Sequence, residues 1–518
     1  MNRRNATLLA AILGSGVVFL DSTVVNVALQ RIGQDLPSTN IGVLEGQSYV
    51  YNGYLLSLSS LLILAGAMAD AFGRRRLFIV GLTGFGLASA LCGLAPSIET
   101  LIALRIVQGA AGALLVPCAL ALLTSEFEGS ERGRAFGLWA AASGAATLLG
   151  PLVGGLLVQT ISWRAVFFLN VPLILAAVWV SWRWVPESSD PHAGRHFDWL
   201  GAAVVALAVG GLSFGAIYGQ QHEWRDGVGQ TSIGIGAVAA VAFVILMARS
   251  ANPLVPLGMF RSRNYSVTNL STFLIYGALY VVTYQYSIFS QGTLGYTAAA
   301  AGLIAVPGTI VLTLFSSRVG ALGARFGPRR FMAAGPLVMA AGILWLVRMP
   351  ADSAAWRLSL GDAASWLPST GYLTDFAPAI LLFGVGLTIT VAPLTTALMT
   401  SVPESRAGLA SAVNNAVSRV GPQLAGAVIF VAITGAFYSD MADRVPGLDT
   451  SSVQVRQQVA PLNAPDPGLG ADVIQAAHDA STDSFRLAMG LAAGLLAAGA
   501  LVNGIGIKDG PGQAPESP

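Results

Sequence analysis

The chain runs to 518 residues, 54% of them hydrophobic and only 10% charged, with a formal net charge of +2. Soluble globular chains carry about 25% charged residues, so this composition excludes an ordinary soluble domain and points to a polytopic helical membrane protein. Arginines scattered over short loops exclude a nucleic-acid binder, and a single lysine, Lys508, excludes a Walker A phosphate loop and a lysine Schiff-base enzyme.

A membrane-spanning helix needs about 20 apolar residues, and fourteen such segments follow one another along the chain: 7–29, 46–67, 77–95, 99–123, 133–158, 164–183, 198–219, 231–249, 266–290, 298–318, 331–349, 374–399, 407–435 and 484–507. Period-2 alternation is absent, so a barrel is excluded and all fourteen are expected to be helices. The basic start, MNRR, precedes an apolar run without a small-residue cleavage pattern, so the first segment is expected to be retained as a helix. With the N-terminus inside, 18 Lys and Arg fall in cytoplasmic tails and loops, among them Arg3, Arg4, Arg74, Arg75, Arg76 and Lys508, against 8 outside. The positive-inside rule then places both termini in the cytoplasm.

An internal repeat divides the chain. The turn from Gly66 to Arg75 (GAMADAFGRR) has a worn echo at Gly320 to Arg329 (GALGARFGPR), with Ala324 where Asp70 would stand; ERGRAFG (131–137) is echoed by ESRAG (404–408), and Gly150-Pro151 by Gly421-Pro422. The offsets give an all-α architecture of two pseudo-symmetric six-helix bundles, residues 1–186 and 258–518, with two inserted transmembrane helices over 187–257. A long external loop is expected over 436–483, with 471–480 as a candidate short surface helix within it.

Several polar residues interrupt the apolar segments. Asp21 lies inside the first helix, where a carboxylate costs about 2.5–3.5 kcal/mol on insertion scales and is a functional candidate by default; a structural ion pair is the plainer reading. Asn26 lies about 140° round that helix from Asp21. Arg105, with Gln108 beside it, sits in the fourth helix at a depth like that of Asp21, so the two are feasible partners. In the fifth helix, Ala146, Gly150 and Gly154 form a small-residue seam, and Pro151 withdraws the partner of the Thr147 carbonyl. Tyr276, Tyr280 and Tyr284 recur every four residues in the ninth helix, as a cavity wall or as packing. Asn415, Arg419 and Gln423 form a polar face in the thirteenth, for binding or for interhelical hydrogen bonds. Cys92 and Cys118 read as packing residues. His192 and His196 lack carboxylate or thiol company, so no metal site is expected. No nucleophile–base–acid set marks an enzyme, and no cofactor is implied.

Taken together, LDSTVVNVAL (20–29), GAMADAFGRRR (66–76), RIVQGAAGA (105–113), GPLVGG (150–155), WRAVFFLNVP (163–172) and GLASAVNNAVSRVG (408–421) resemble the fourteen-helix drug:proton antiporter branch of the major facilitator superfamily. The resemblance implies proton-driven export of hydrophobic or cationic drugs and antibiotics by alternating access, with a dedicated exporter of one endogenous metabolite, lipid or self-made antibiotic as the alternative. It implies proton coupling at Asp21 and Arg105, and a conformational gate at Gly66, Asp70, Gly73, Arg74 and Arg75, joined by Arg134. The substrate cavity is expected to involve Asn26, Gln108, Tyr276, Tyr280, Tyr284, Asn415 and Arg419, and the antiporter motif Gly144, Gly150, Pro151, Gly154 and Gly155. The partners implied are a small-molecule substrate, protons and the bilayer, for a monomer in a bacterial cytoplasmic membrane. Two departures stand out: GQSYVY (46–51) lacks the tryptophan usual at the start of the second helix, and membrane acids beyond Asp21 are sparse, with Glu45, Glu99 and Asp375 at helix ends.

Overall fold

A computed structural model describes residues 2–508 except 38–42, 190–196, 222–223, 225–226, 360 and 404–405; His192 and His196 therefore lie outside the described residues. The chain is helical throughout, and the only β pairing among the described residues is an isolated bridge between Ser359 and Asp362. Thirteen helices among the described residues are long and apolar enough to cross a membrane. The remaining expected span, 133–158, lies within the 32-residue helix Gly129–Thr160.

In chain order the helices are α1 (Arg3–Asp35), α2 (Val43–Phe72), α3 (Arg74–Gly93), α4 (Ile98–Gly112), α5 (Leu115–Glu126), α6 (Gly129–Thr160), α7 (Ala165–Phe168), α8 (Asn170–Trp184), α9 (Trp199–Gln221), α10 (Gly227–Arg249), α11 (Arg263–Gly292), α12 (Ala298–Leu303), α13 (Val306–Phe326), α14 (Pro328–Leu346), α15 (Ala377–Thr400), α16 (Ala407–Arg444), α17 (Val453–Gln458) and α18 (Ala471–Gly506). Three apolar spans are each built from two helices, α4–α5, α7–α8 and α12–α13. Each break precedes a proline, Pro117, Pro172 and Pro307, which has no N–H to offer the carbonyl four residues back.

The external loop expected over 436–483 is narrower than its hydropathy suggests. α16 continues to Arg444 and α18 begins at Ala471, so the irregular connection is 445–470, interrupted by α17. Polar residues there escape a hydropathy reading yet keep helical geometry because they pair. Arg444 bonds Asp440 on its own helix at 2.8 Å and Asp479 and Asp483 on α18 at 3.3 and 2.9 Å. Beneath them Phe437, Tyr438 and Met441 pack on Ala476, Ala477 and Ala480.

α1 to α8 pack among themselves, as do α11, α13 to α16 and α18, while α9 and α10 pair with each other and α9 rests on both α2 and α16. The two groups share a buried apolar cluster on the face that carries Asp70. Leu62, Ala69 and Leu123 of the first group there meet Leu398, Leu409 and Val413 of the second. Towards the opposite face the clusters are separate, one around Val24, Trp163 and Phe167 and another around Phe289, Phe376 and Phe485. Small residues permit the shared contact: a Cβ on Gly66 would lie 2.3 Å from that of Ala412, and one on Gly137 2.9 Å from the Ser317 backbone.

Within the first group, α1 and α6 meet along the expected seam. A Cβ on Gly150 would come 1.9 Å from Thr23 Oγ1, and one on Gly154 would lie 3.1 Å from the Val24 carbonyl oxygen. Gly155 opens towards Val27, whereas Gly144 faces Leu312 of α13; the side chain of Pro151 lies outside the described residues. Gly150→Ala is expected to lower thermal stability by about 1–3 kcal/mol, as overpacking does. Adding Thr23→Ala, which removes the obstructing oxygen, should recover part of that loss. Gly234→Ala, with nothing within 4 Å, should cost nothing. Thermal unfolding of the detergent-solubilised variants checks the order, and equal stability of Gly150→Ala and wild type would refute the seam.

Candidate functional site: a buried acid–arginine network, a polar turn and a second arginine

Asp21 and Arg105 have no exposed side-chain area and meet at 2.6 Å. The carboxylate is surrounded by donors. Arg105 Nη1 donates to Oδ2, while Gln108 Nε2 and Asn170 Nδ2 donate to Oδ1 at 3.1 and 2.9 Å. Arg105 also donates from Nη1 to Gln108 Oε1 at 2.8 Å and from Nε to the Val50 carbonyl at 3.3 Å. Its guanidinium lies over the Tyr54 ring, 4.0 Å from the centroid. Asn170 donates onward to Ser89 Oγ at 3.0 Å, and Ser89 to the Phe167 carbonyl at 2.8 Å. Two buried polar atoms are left over, Arg105 Nη2 and Asn170 Oδ1.

Local sequence explains why these groups converge. Ser97 caps α4 by accepting the Thr100 N–H, which fixes the register that aims Arg105 inward. Gly109 lets α4 press on α2, since a Cβ there would lie 2.3 Å from the Tyr54 carbonyl. The break before Pro172 starts α8 at Asn170, whose side chain reaches Asp21. Depth alone makes the Asp21–Arg105 partnership feasible. Asn170 and Ser89 are not singled out by the sequence reading, although Asn170, a polar residue inside WRAVFFLNVP, is the available signal. Gln108, expected in the substrate cavity, is fully buried in this conformation, where its amide donates to the Asp21 carboxylate.

Asp70 forms a second polar centre. Oδ1 accepts from Arg74 Nε and Nη2 at 3.0 and 2.9 Å, and Oδ2 accepts from the Leu409 N–H at 3.0 Å, which joins the α2 end to the start of α16. Gly73 makes the turn with φ of +108°, a conformation that favours glycine. Glu187 accepts the backbone N–H groups of Arg75 and Arg76 at 3.0 and 3.1 Å, satisfying the orphan donors of α3. Arg75 also donates to the Trp182 carbonyl at 2.7 Å. Arg134 is exposed and Asn26 likewise.

The third group lies between α2, α11 and α16. Tyr51, Tyr54 and Tyr276 are within electrostatic reach of Arg419. Tyr280 and Tyr284 stack with ring centroids 5.7 Å apart and planes 9° from parallel. Asn415 donates to the Ser411 carbonyl of its own helix at 2.9 Å, whereas its neighbour Asn414 crosses to α11, donating to Asn269 and Thr272 at 3.2 and 2.8 Å. Among the described residues no cluster of His, Cys, Asp and Glu is arranged for a metal.

The sequence pattern described as Major Facilitator Superfamily matches residues 11–426. The multidrug resistance protein Stp of Mycobacterium tuberculosis is 34% identical over 432 residues, covering 83% of this chain and 76% of the relative. The tetracenomycin C resistance and export protein of Streptomyces glaucescens is 32% identical over 510 residues, covering 96% of this chain and 89% of its own length. The solved proton:xylose symporter XylE superposes with a TM-score of 0.56 over 95% of this chain and 94% of that one, at 17% identity, a likeness of fold alone. By sequence and by fold, the chain belongs to the major facilitator superfamily.

Proposed function

We propose that the protein is a proton-coupled secondary active exporter, an antiporter of hydrophobic, drug-like compounds that works by alternating access. The reading rests on one observation above all. A fully buried acid–arginine pair sits in one group of helices, while the two groups share an apolar cluster on the Asp70 face. The arginine bias supports a cytoplasmic position for that face and for both termini, in a bacterial inner membrane, and on this reading the closed face is the cytoplasmic one. The two halves, 1–186 and 258–518, then rock about their contact as a monomer, with α9 and α10 as the insertion.

Every neighbour of the Asp21 carboxylate is a donor, so a proton added there has to displace one of them. Its arrival therefore loosens the tie between α1, α4 and α8, which is the differential interaction that a ligand-driven switch requires. Asp70 acts at the other end, holding Leu409 and so the closed cytoplasmic face. Tyr276, Tyr280, Tyr284, Arg419 and Asn26 line the substrate path, while Gln108 and Asn415 position their neighbours. Stp is named for multidrug resistance, which supports a broad range. The tetracenomycin C exporter, which aligns over nearly the whole chain, is named for one compound and supports a dedicated substrate as the second reading.

Asp21→Asn is expected to reduce pH-driven uptake into everted vesicles to the background of vesicles lacking the protein, while substrate exchange at equilibrium persists. Orphaning one member of a buried pair costs about 3–5 kcal/mol. The double variant Asp21→Asn with Arg105→Gln should therefore regain thermal stability without regaining pH-driven uptake. Undiminished uptake by Asp21→Asn would remove Asp21 from the mechanism.

Asp70→Asn weakens a charge-assisted bond to Leu409 worth about 1.5–3 kcal/mol, or roughly ten- to hundredfold in the closed-to-open ratio. In an Ala412→Cys background, the cysteine lies against Gly66 in the closed state, and adding Asp70→Asn should make it react faster with a polar maleimide from the cytoplasmic side. The native Cys92 and Cys118 are both buried, so background labelling is low. Equal labelling rates with and without the Asp70→Asn substitution would count against the latch.

A further inference from the structure

Arg419 differs from Arg105 in one respect that matters. Both guanidinium groups lie among apolar helices, yet Arg105 has Asp21 at 2.6 Å. The groups within reach of Arg419 are the phenols Tyr51, Tyr54 and Tyr276, which carry no negative charge. Its Nε is buried and has no hydrogen-bond partner among the described residues, and neither has the buried Oε1 of Gln423, one turn further along α16. Arg419 stands twelve residues into the helix, about 18 Å from Ala407 along the axis, too far from that end for its head to reach water by extending along the helix. An arginine at such a depth with no counter-ion among the described residues is costly, and a costly charge in a transporter marks a ligand path.

The surroundings have the shape of an aromatic seat. Tyr280 and Tyr284 stack with 39% and 46% of their surface exposed. Gly426, two turns above Arg419, keeps the backbone clear beside them: a Cβ there would come 3.2 Å from the Tyr280 ring and 3.3 Å from Gln220 Nε2.

We propose, building on the exporter reading, that Arg419 is an anion anchor and that the preferred substrates are amphipathic aromatic compounds bearing one acidic group. The carboxylate, or a comparably acidic oxygen, sits on the guanidinium fork, which matches it in a bidentate fashion. The aromatic body lies against Tyr276 and Tyr280. A cationic compound meets a like charge at this point, so the site narrows the class that the family resemblance implies.

The test compares naphthoate with naphthamide, one ring system with and without the charge, by calorimetry on the full-length protein in zwitterionic lipid nanodiscs. Wild type is expected to bind the naphthoate at least about tenfold more tightly than the amide, the scale of a charge-assisted bond. Arg419→Lys should keep part of that preference and Arg419→Gln should lose it. Gln423→Glu, which supplies an internal carboxylate and leaves the arginine in place, should lose it too, so the result does not hang on one variant folding. Equal binding of the two probes by wild type, or a preference that survives both Arg419→Gln and Gln423→Glu, overturns the anchor. Uptake of a neutral dye by everted vesicles is measured in parallel. Uptake without anion preference removes the anchor and leaves the exporter; preference without uptake of any dye removes the exporter and leaves the anchor.

Discussion

Asp21 and Arg105 set the terms for the rest of the bundle. Each alone would be a charge stranded in a low-dielectric interior; together, with Gln108, Asn170 and the Val50 carbonyl, they form a saturated knot around the carboxylate. The knot ties α1, α2, α4 and α8 into one unit, because loosening any of these helices strands a polar atom. Replacing the pair by apolar residues would often be neutral or stabilising in an ordinary protein. Its presence here is therefore no argument from stability alone.

Among the described residues the second half of the repeat shows no equivalent. Its helices α11 and α16 are joined by the uncharged amide of Asn414 on Asn269 and Thr272, and its interior charge, Arg419, has phenols for company. The turns show the same asymmetry. Gly73 and Gly327 both adopt positive φ, at +108° and +86°, so the backbone of the repeat has survived. Asp70 latches the first turn onto Leu409, whereas Arg329 in the second donates to the Gly504 carbonyl within its own group. The buried acid pair and the Asp70 contact thus lie in one half, and Arg419 with its neighbouring phenols in the other.

Hydropathy reveals the helices because burial in lipid leaves a long uninterrupted signal, and depth counted along two helices makes the Asp21–Arg105 contact feasible without fixing which faces meet. The breaks before Pro117, Pro172 and Pro307 are visible as prolines but are set by tertiary packing, which decides whether a helix bends or divides. Gln108, three positions from Arg105, shares its face, and only the position of α1 shows that its amide meets Asp21. Asn170 escapes notice since its role depends on a partner 149 residues away. The outer part of α16 is missed, and 471–480 is read as a separate short helix instead of the start of α18, for the opposite reason: both segments are held by contacts between the helices, a small apolar patch and ion pairs above it, to which a one-segment apolar scale is blind.

α16 is gripped near both ends. Its first turn hangs on Asp70 through the Leu409 amide, and its last residue, Arg444, is riveted to α18 by two aspartates. Between the two grips this helix of 38 residues carries Pro422, which breaks one link of its hydrogen-bond ladder. A shift at the Leu409 foot is therefore taken up first at that proline, and the two anchorages need not move as one.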